Sequence, residues 1–208
     1  MVDNRLYILY RVISDAQLLR DNWMLRCLKV ALLVGIASAA PPVLAVVSAP
    51  VEAQVAKSGY ALPLSLAMEA AAEAVRTCES NGYAVSAAVV DPAGVIKLQA
   101  KGDHSTIHTR DSSFRKAYTV VTLGPIFRFD TSSAFAELTA KSPTGPALSS
   151  LPDVLPLAGG VAIKAGDEIV AALGVGGAPG GDKDEACARA GVAKIQDRVT
   201  AAAYKRAE

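Results

Sequence analysis

The sequence predicts an α+β domain in which α-helices flank an antiparallel β-sheet of about five strands. Three observations lead to this prediction. Apolar residues recur at helical spacing near the start of the domain, two pairs of β-rich segments are joined by short turns, and an amphipathic segment ends the chain. The 208 residues contain no repeat at solenoid periods, so one compact unit is expected.

The first 53 residues are predicted to be an N-terminal extension with a cleavable secretion signal, and residues 54–208 the folded domain. The apolar run Val30–Val47 is uncharged and follows Arg26 and Lys29, and its core Val30–Ala40 has about the length of the apolar region of a secretion signal. Pro41-Pro42 interrupts it before the roughly 20 residues that a membrane span needs. We expect translation from Met24, cleavage after Ala45 or Ala53, and a periplasmic or secreted protein; an uncleaved anchor is the alternative.

The domain is predicted to begin with a helix and a β-hairpin. Apolar residues from Leu64 to Cys78 keep the spacing of one helical face, Ser65 is a candidate N-cap, and Asn81-Gly82 is a natural stop. Asp91-Pro92-Ala93-Gly94 has the residues of a tight turn. The two strands that this turn joins are Tyr83–Val90 and Val95–Ala100.

The second half is predicted to contain helices, a long irregular segment, a second hairpin and a final helix. Phe114 and Val121 mark one apolar helical face, and a short helix is expected at Ser132–Thr139. Prolines and glycines recur throughout Ser142–Gly160, so this segment is predicted to be a long irregular stretch. In a compact domain such a stretch is typical of a segment that lines a functional site. Strands Val161–Lys164 and Ile169–Val175 follow, and Asp182 with Glu185 resembles a capping box at the start of the last helix.

Composition excludes several classes of protein. With 21 basic against 20 acidic residues and no local basic stripe, no nucleic-acid partner is expected. No two of the three cysteines form a CxxC motif, which argues against a cysteine-rich zinc site. Cys78 and Cys187 both fall on predicted apolar helix faces, so we expect two buried free thiols rather than a disulfide.

The domain resembles the GlcG/HbpS family of haem-binding proteins, which includes the PduO C-terminal-like domain. The resemblance covers about Leu62–Tyr204 and implies a PAS- or profilin-like sheet, a homo-oligomer, and haem as the cofactor of exported members. The segments that carry it are Leu62-Pro63-Leu64, Val89–Gly94, Ser113–Thr119, Leu157–Gly160, Gly174–Gly177 and Asp184–Ala190.

Both histidines lie in the span from His104 to His108, just before the helix that carries the Ser113–Thr119 motif. A neutral imidazole is the usual protein ligand of haem iron, so His108 is the first candidate axial ligand and His104 the second. Phe114 and Tyr118 offer aromatic faces to the macrocycle. Two alternatives stay open: a zinc site that also uses Asp103 or Asp111, and an ordinary solvent-exposed loop.

Cations near the histidines are candidates to pair with the propionates of haem. The candidates are Arg110, Arg115 and Lys116. The hydroxyl groups of Thr119, Thr106 and Thr109 are weaker candidate iron ligands.

No catalytic residue is assigned, because the sequence has no GxSxG elbow and no nucleophile paired with a base. Asp184-Glu185 at a helix start is explained by solvation and the helix dipole, and the glycines by tight turns and subunit contacts. The predicted function is non-enzymatic haem capture, storage or sensing. The alternatives are an enzyme that oxidatively degrades bound haem and an accessory oligomer that binds another small molecule.

Overall fold

The computed structural model describes residues 59–207, with side chains described as far as Val199. The predicted extension and secretion signal lie outside these residues. No helix in the described part of the chain has the length and apolar character needed to cross a membrane.

Helices and strands follow the predicted order. Residues 59–207 form four strands and five helices. They are α1 (Leu64–Ser80), β1 (Ser86–Val90), β2 (Ile96–Lys101), α2 (Thr109–Phe127), α3 (Ser132–Lys141), α4 (Gly145–Ser149), β3 (Gly160–Ala165), β4 (Glu168–Gly176) and α5 (Gly181–Ala207).

The strands form one antiparallel sheet in the order β2-β1-β4-β3. Both predicted hairpins are confirmed, but the described sheet has four strands rather than about five. The segment Ser142–Gly160, which was expected to be irregular, contains the short helix α4. At the β3 edge, Thr131 makes a single bridge to Val161, and Ala162 N donates to Asp130 O at 2.8 Å. That edge is therefore covered at Val161 and Ala162, whereas β2 forms the other edge of the described sheet.

The sheet separates two apolar cores because strand side chains alternate between its faces. Ala87 and Val89 of β1 pack in the core that includes α1 and α5. Val90 packs in the other core, with Ala117 and Val120 of α2. The helix α2 thus lies on the opposite face of the sheet from α1 and α5.

Two predicted helix caps are wrong. The helix α1 begins directly after Pro63, so Ser65 lies inside its first turn and no side chain caps it. At the start of α5, Glu185 Oε1 accepts a hydrogen bond from Arg189 at 2.6 Å, and Glu185 Oε2 has no partner in the described part of the chain. Asp182 and Glu185 therefore do not form a capping box.

Cys78 and Cys187 form a disulfide, so the prediction of two free thiols is wrong. The disulfide joins α1 to α5 across their packed faces, with the two Cα atoms 5.6 Å apart. The sequence placed each cysteine on a buried helix face correctly. It did not show that these two faces meet.

Glycines allow the backbone of α2 to lie directly on β3 and β4. A Cβ atom at Gly160 would collide with the carbonyl of Lys116, and one at Gly174 would collide with the carbonyl of Ser113. Their role is close packing of a helix on strands rather than the expected tight turns or subunit contacts.

The substitution Gly174→Ala is expected to lower the free energy of unfolding by about 1–3 kcal/mol, because the new methyl group must displace backbone atoms. Urea denaturation followed by circular dichroism measures this change. Gly166→Asn is the control: nothing lies within 4 Å of a Cβ at Gly166, and asparagine tolerates its φ of 62°. Equal stability of the two variants would contradict the packing role of Gly174.

Candidate functional site

The two histidines lie on a loop, residues 102–108, that joins the end of β2 to the start of α2. Both imidazoles are exposed, and Ile107 between them is 93% exposed. His104 has a left-handed φ of 61°, which is uncommon outside glycine. The loop thus presents one apolar and two imidazole side chains to solvent.

Buried hydroxyl groups fix this loop to the end of the sheet. Ser86 Oγ at the start of β1 lies 3.1 Å from Ser105 Oγ and 2.8 Å from Thr109 Oγ1. Thr109 Oγ1 also donates to the carbonyl of Thr106 at 2.6 Å. These bonds hold the backbone on both sides of Ile107, and Thr109 is therefore structural in this chain rather than a free iron ligand.

His108 has a hydrogen bond that can orient its ring. Its Nδ1 atom lies 3.1 Å from Thr106 Oγ1. In the tautomer in which Nδ1–H donates to Thr106, Nε2 carries a free lone pair, which is the state that a metal-binding imidazole needs. Thr106 therefore has a role in orienting His108.

One flank of α2 faces β2 and carries the aromatic pair. The ring centroids of Phe114 and Tyr118 lie 5.6 Å apart, and both side chains are half-buried. Gln99 Nε2 donates to the carbonyl of Arg110 at 2.7 Å, which ties β2 to the first turn of α2. We call the surface between these elements the β2–α2 surface. It comprises Lys97, Gln99 and Lys101 of β2 with Arg110, Phe114 and Tyr118 of α2.

The other flank of α2 packs against the segment Ser142–Gly160. Arg115 donates to the carbonyl of Val154 at 2.7 Å. Thr119 Oγ1 donates to the carbonyl of Arg115 at 2.8 Å and accepts from Leu155 N at 2.8 Å. Thr119 is fully buried. Arg115 and Thr119 thus attach this segment to α2. They do so on the flank of α2 that does not carry the aromatic pair.

Lys116 forms a buried ion pair with Asp184 of α5. Lys116 Nζ lies 2.6 Å from Asp184 Oδ2, and the two side chains are only 2% and 3% exposed. Lys116 also donates to the carbonyl of Val175 at 3.0 Å, and Asp184 Oδ1 accepts from Ala178 N at 2.9 Å. The expectation of an accessible cation at Lys116 is therefore wrong, as is the expectation of a solvated carboxylate at Asp184.

The structure divides the predicted site residues between the two flanks of α2. The histidines lie on the loop where β2 and α2 meet, and Arg110, Phe114 and Tyr118 belong to the β2–α2 surface. Arg115, Lys116 and Thr119 have structural partners on the other side. The sequence interpretation missed Lys97, Gln99 and Lys101, although their alternation along a predicted strand is typical of one strand face.

No group of three His, Cys, Asp or Glu side chains arranged to hold a metal ion is found within residues 59–207. For the zinc alternative, His104 and His108 are accordingly left without a converging third protein ligand there. A haem iron needs fewer protein ligands, because its porphyrin supplies four nitrogens.

Comparison with known proteins identifies relatives of this domain. A family model described as "Haem degrading protein HbpS-like" matches residues 62–193. No curated protein matches the chain.

Two solved structures of HbpS are similar in sequence and fold. One is 39% identical, covers 65% of this chain and 91% of its own, and has a TM-score of 0.59. A double mutant of HbpS from Streptomyces reticuli is 38% identical, covers 71% of this chain and 97% of its own, and has a TM-score of 0.60.

A more distant structure, described as a complex of PduOC with haem, is 17% identical and shows the same fold with a TM-score of 0.57. It covers 65% of this chain and 96% of its own. With its α+β fold, its match to the family model and its likeness to HbpS, the chain belongs to the HbpS-like family.

Proposed function

We propose that this protein binds haem at the β2–α2 surface, with His108 or His104 as the axial ligand. The observation that carries this proposal is the position of two exposed imidazoles on the loop that leads into α2, the helix that carries the half-buried aromatic pair, in a chain of the HbpS-like family. The family description refers to haem, and one neighbour of the same fold is described as a haem complex.

The residues present at this surface fit a haem group in chemistry. The imidazole nitrogen is a common ligand of haem iron, and Thr106 can hold His108 in the tautomer that exposes Nε2. Phe114 and Tyr118 provide apolar faces for a flat macrocycle. Bound haem would supply an iron centre that binds small ligands and changes oxidation state.

Titration of haemin into the purified protein is expected to give a saturable shift of the Soret band. The double variant His104→Ala/His108→Ala is expected to bind at least about tenfold more weakly, because an iron ligand contributes more than about 1.4 kcal/mol. Asp103→Ala, an exposed change in the same loop, is the control and should bind like the unmodified protein.

Two results would contradict the proposal in different ways. Absence of a Soret shift with unmodified protein would overturn haem binding itself. A double variant that binds with unchanged affinity and spectrum would overturn only the assignment of the axial ligand.

For the role of the bound haem, we propose non-enzymatic capture, storage or sensing. A second candidate is haem degradation, which the description of the family model favours. Incubation of the complex with a reductant and oxygen separates the two candidates. A stable Soret band supports storage or sensing, whereas steady loss of the band with release of iron supports degradation.

We also propose that the protein functions outside the cytoplasm. The disulfide between Cys78 and Cys187 supports this proposal, since structural disulfides persist mainly in oxidising compartments. The predicted signal segment points the same way. Cell fractionation followed by N-terminal sequencing tests it: a full-length chain recovered with cytoplasmic proteins would contradict export.

A further inference from the structure

Two lysines of the edge strand face the same side of the sheet as α2. Lys97 lies at a β-bulge, where Ile96 and Lys97 are opposite Val90 of β1, and the Val90 side chain packs in the core with α2. Lys101 pairs directly with Ser86 of β1, and the Ser86 hydroxyl reaches Thr109 at the start of α2. Since residues that lie opposite each other on neighbouring strands share a face, Lys97 follows Val90 and Lys101 follows Ser86, and both lysines project on the side of α2.

Two contacts fix β2 relative to α2 along their length. Near one end, Gln99 donates to the carbonyl of Arg110. Near the other, the turn before β2 lies on Tyr118, because a Cβ at Gly94 would be 2.8 Å from the Tyr118 ring. Phe114 lies between these contacts on α2, and Lys97 lies between them on the β2 side. The aromatic pair and the lysines therefore border one surface.

The ammonium groups of Lys97 and Lys101 form no ion pair in the described part of the chain. Arg110 has one with Asp111, an exposed contact of 2.9 Å, and Asp103 is a further exposed carboxylate nearby. On the other flank, by contrast, the ammonium of Lys116 is buried against Asp184. Two lysines without an ion-pair partner among the described residues therefore lie beside the aromatic pair.

We infer that Lys97 and Lys101 bind the two carboxylates of a flat, dianionic tetrapyrrole whose ring lies across Phe114 and Tyr118. This inference rests on the proposed function and deepens it: it names β2 as the element that recognises the anionic edge of the ligand. Arg110 adds a third cation at the start of α2. The surface thus selects for propionate groups, independently of the bond between iron and histidine.

The test compares three ligands with two charge-reversed proteins. The ligands are haemin, its dimethyl ester and metal-free protoporphyrin IX. The variant is Lys97→Glu/Lys101→Glu, and the control is Lys141→Glu/Lys194→Glu, which makes the same change of net charge at exposed positions on α3 and α5. Thermal melts verify that both variants fold.

The lysine variant is expected to bind haemin and protoporphyrin IX about tenfold more weakly than the unmodified protein, through loss of two partly solvated ion pairs and new repulsion. Its affinity for the dimethyl ester, which lacks the charges, is expected to be unchanged. Haemin binding to the unmodified protein should also weaken as salt is raised.

The outcomes distinguish this inference from the proposed function. Equal haemin affinity of the lysine variant and the unmodified protein overturns the role of β2 but leaves haem binding intact. An equal loss in the Lys141/Lys194 control also overturns it, because net charge alone would then explain the effect. If unmodified protein binds no haemin, the proposed function fails and this inference fails with it.

Discussion

The double variant Cys78→Ala/Cys187→Ala is expected to unfold with a free energy about 4–5 kcal/mol lower than that of the unmodified protein. The disulfide links positions 109 residues apart, and a cross-link of that span restricts the unfolded chain strongly in the chain-entropy model. Both cysteines are buried, at 0% and 2% exposure, so alanine avoids placing a new hydroxyl in the core. Urea denaturation in non-reducing buffer measures the difference.

The control is the unmodified protein unfolded in the presence of a reductant. It should resemble the double variant, because reduction removes the same restriction. Unchanged stability on loss of the disulfide would show that α1 and α5 need no covalent link.

The substitution Asp184→Ala is expected to lower the free energy of unfolding by about 3–5 kcal/mol. It leaves the buried ammonium of Lys116 without its counter-charge, and a charge buried without a partner is strongly destabilising. It also removes the acceptor of the hydrogen bond from Ala178 N. Differential scanning calorimetry and urea denaturation measure the loss.

Two further variants test this explanation. Asp130→Ala breaks the more exposed pair with Lys164, in which the side chains are 31% and 55% exposed, and should cost less than about 1 kcal/mol. Lys116→Met/Asp184→Leu removes both charges and should be more stable than Asp184→Ala alone. Similar losses for Asp130→Ala and Asp184→Ala would argue against a special role of the buried pair.

Local patterns in the sequence predicted most of the fold. The Asp91–Gly94 turn and the β-rich runs beside it gave the first hairpin, because turn residues act over a few positions. The apolar spacing in α1 and α2 gave both helices. The expected fifth strand was not assigned to any segment of the sequence, and the described residues contain only the four strands of the two hairpins.

Contacts between distant segments could not be predicted in this way. Lys116 and Asp184 are 68 residues apart, and the cysteines are 109 apart. Each residue taken alone has an ordinary explanation as a surface cation, a helix-start carboxylate or a buried thiol. Only the tertiary fold, in which α5 packs on α1 and the first turn of α5 brings Asp184 to Lys116, brings the partners together. Gly159 completes the arrangement, since a Cβ there would be 2.8 Å from Lys116 Nζ.

The positions of the candidate site residues could be predicted only in part for the same reason. The histidine loop and the aromatic pair are close in sequence, so a local interpretation placed them on adjoining elements. Arg115 and Thr119 each follow an aromatic residue of α2 by one position. Because successive helix residues are rotated by roughly 100°, their side chains point towards the segment that contains Val154 and Leu155 instead. The position of β2 beside α2 was missed because it depends on how a strand and a helix pack together.

The unequal edges of the sheet bear on how the protein avoids aggregation. Asp130 and Thr131 cover the β3 edge, so a foreign strand has backbone groups to pair with mainly along β2. Positive side chains on an exposed edge strand discourage the edge-to-edge pairing that starts fibrils. Lys97 and Lys101 place positive charge on this edge, so substituting both with apolar residues is expected to increase aggregation of the protein.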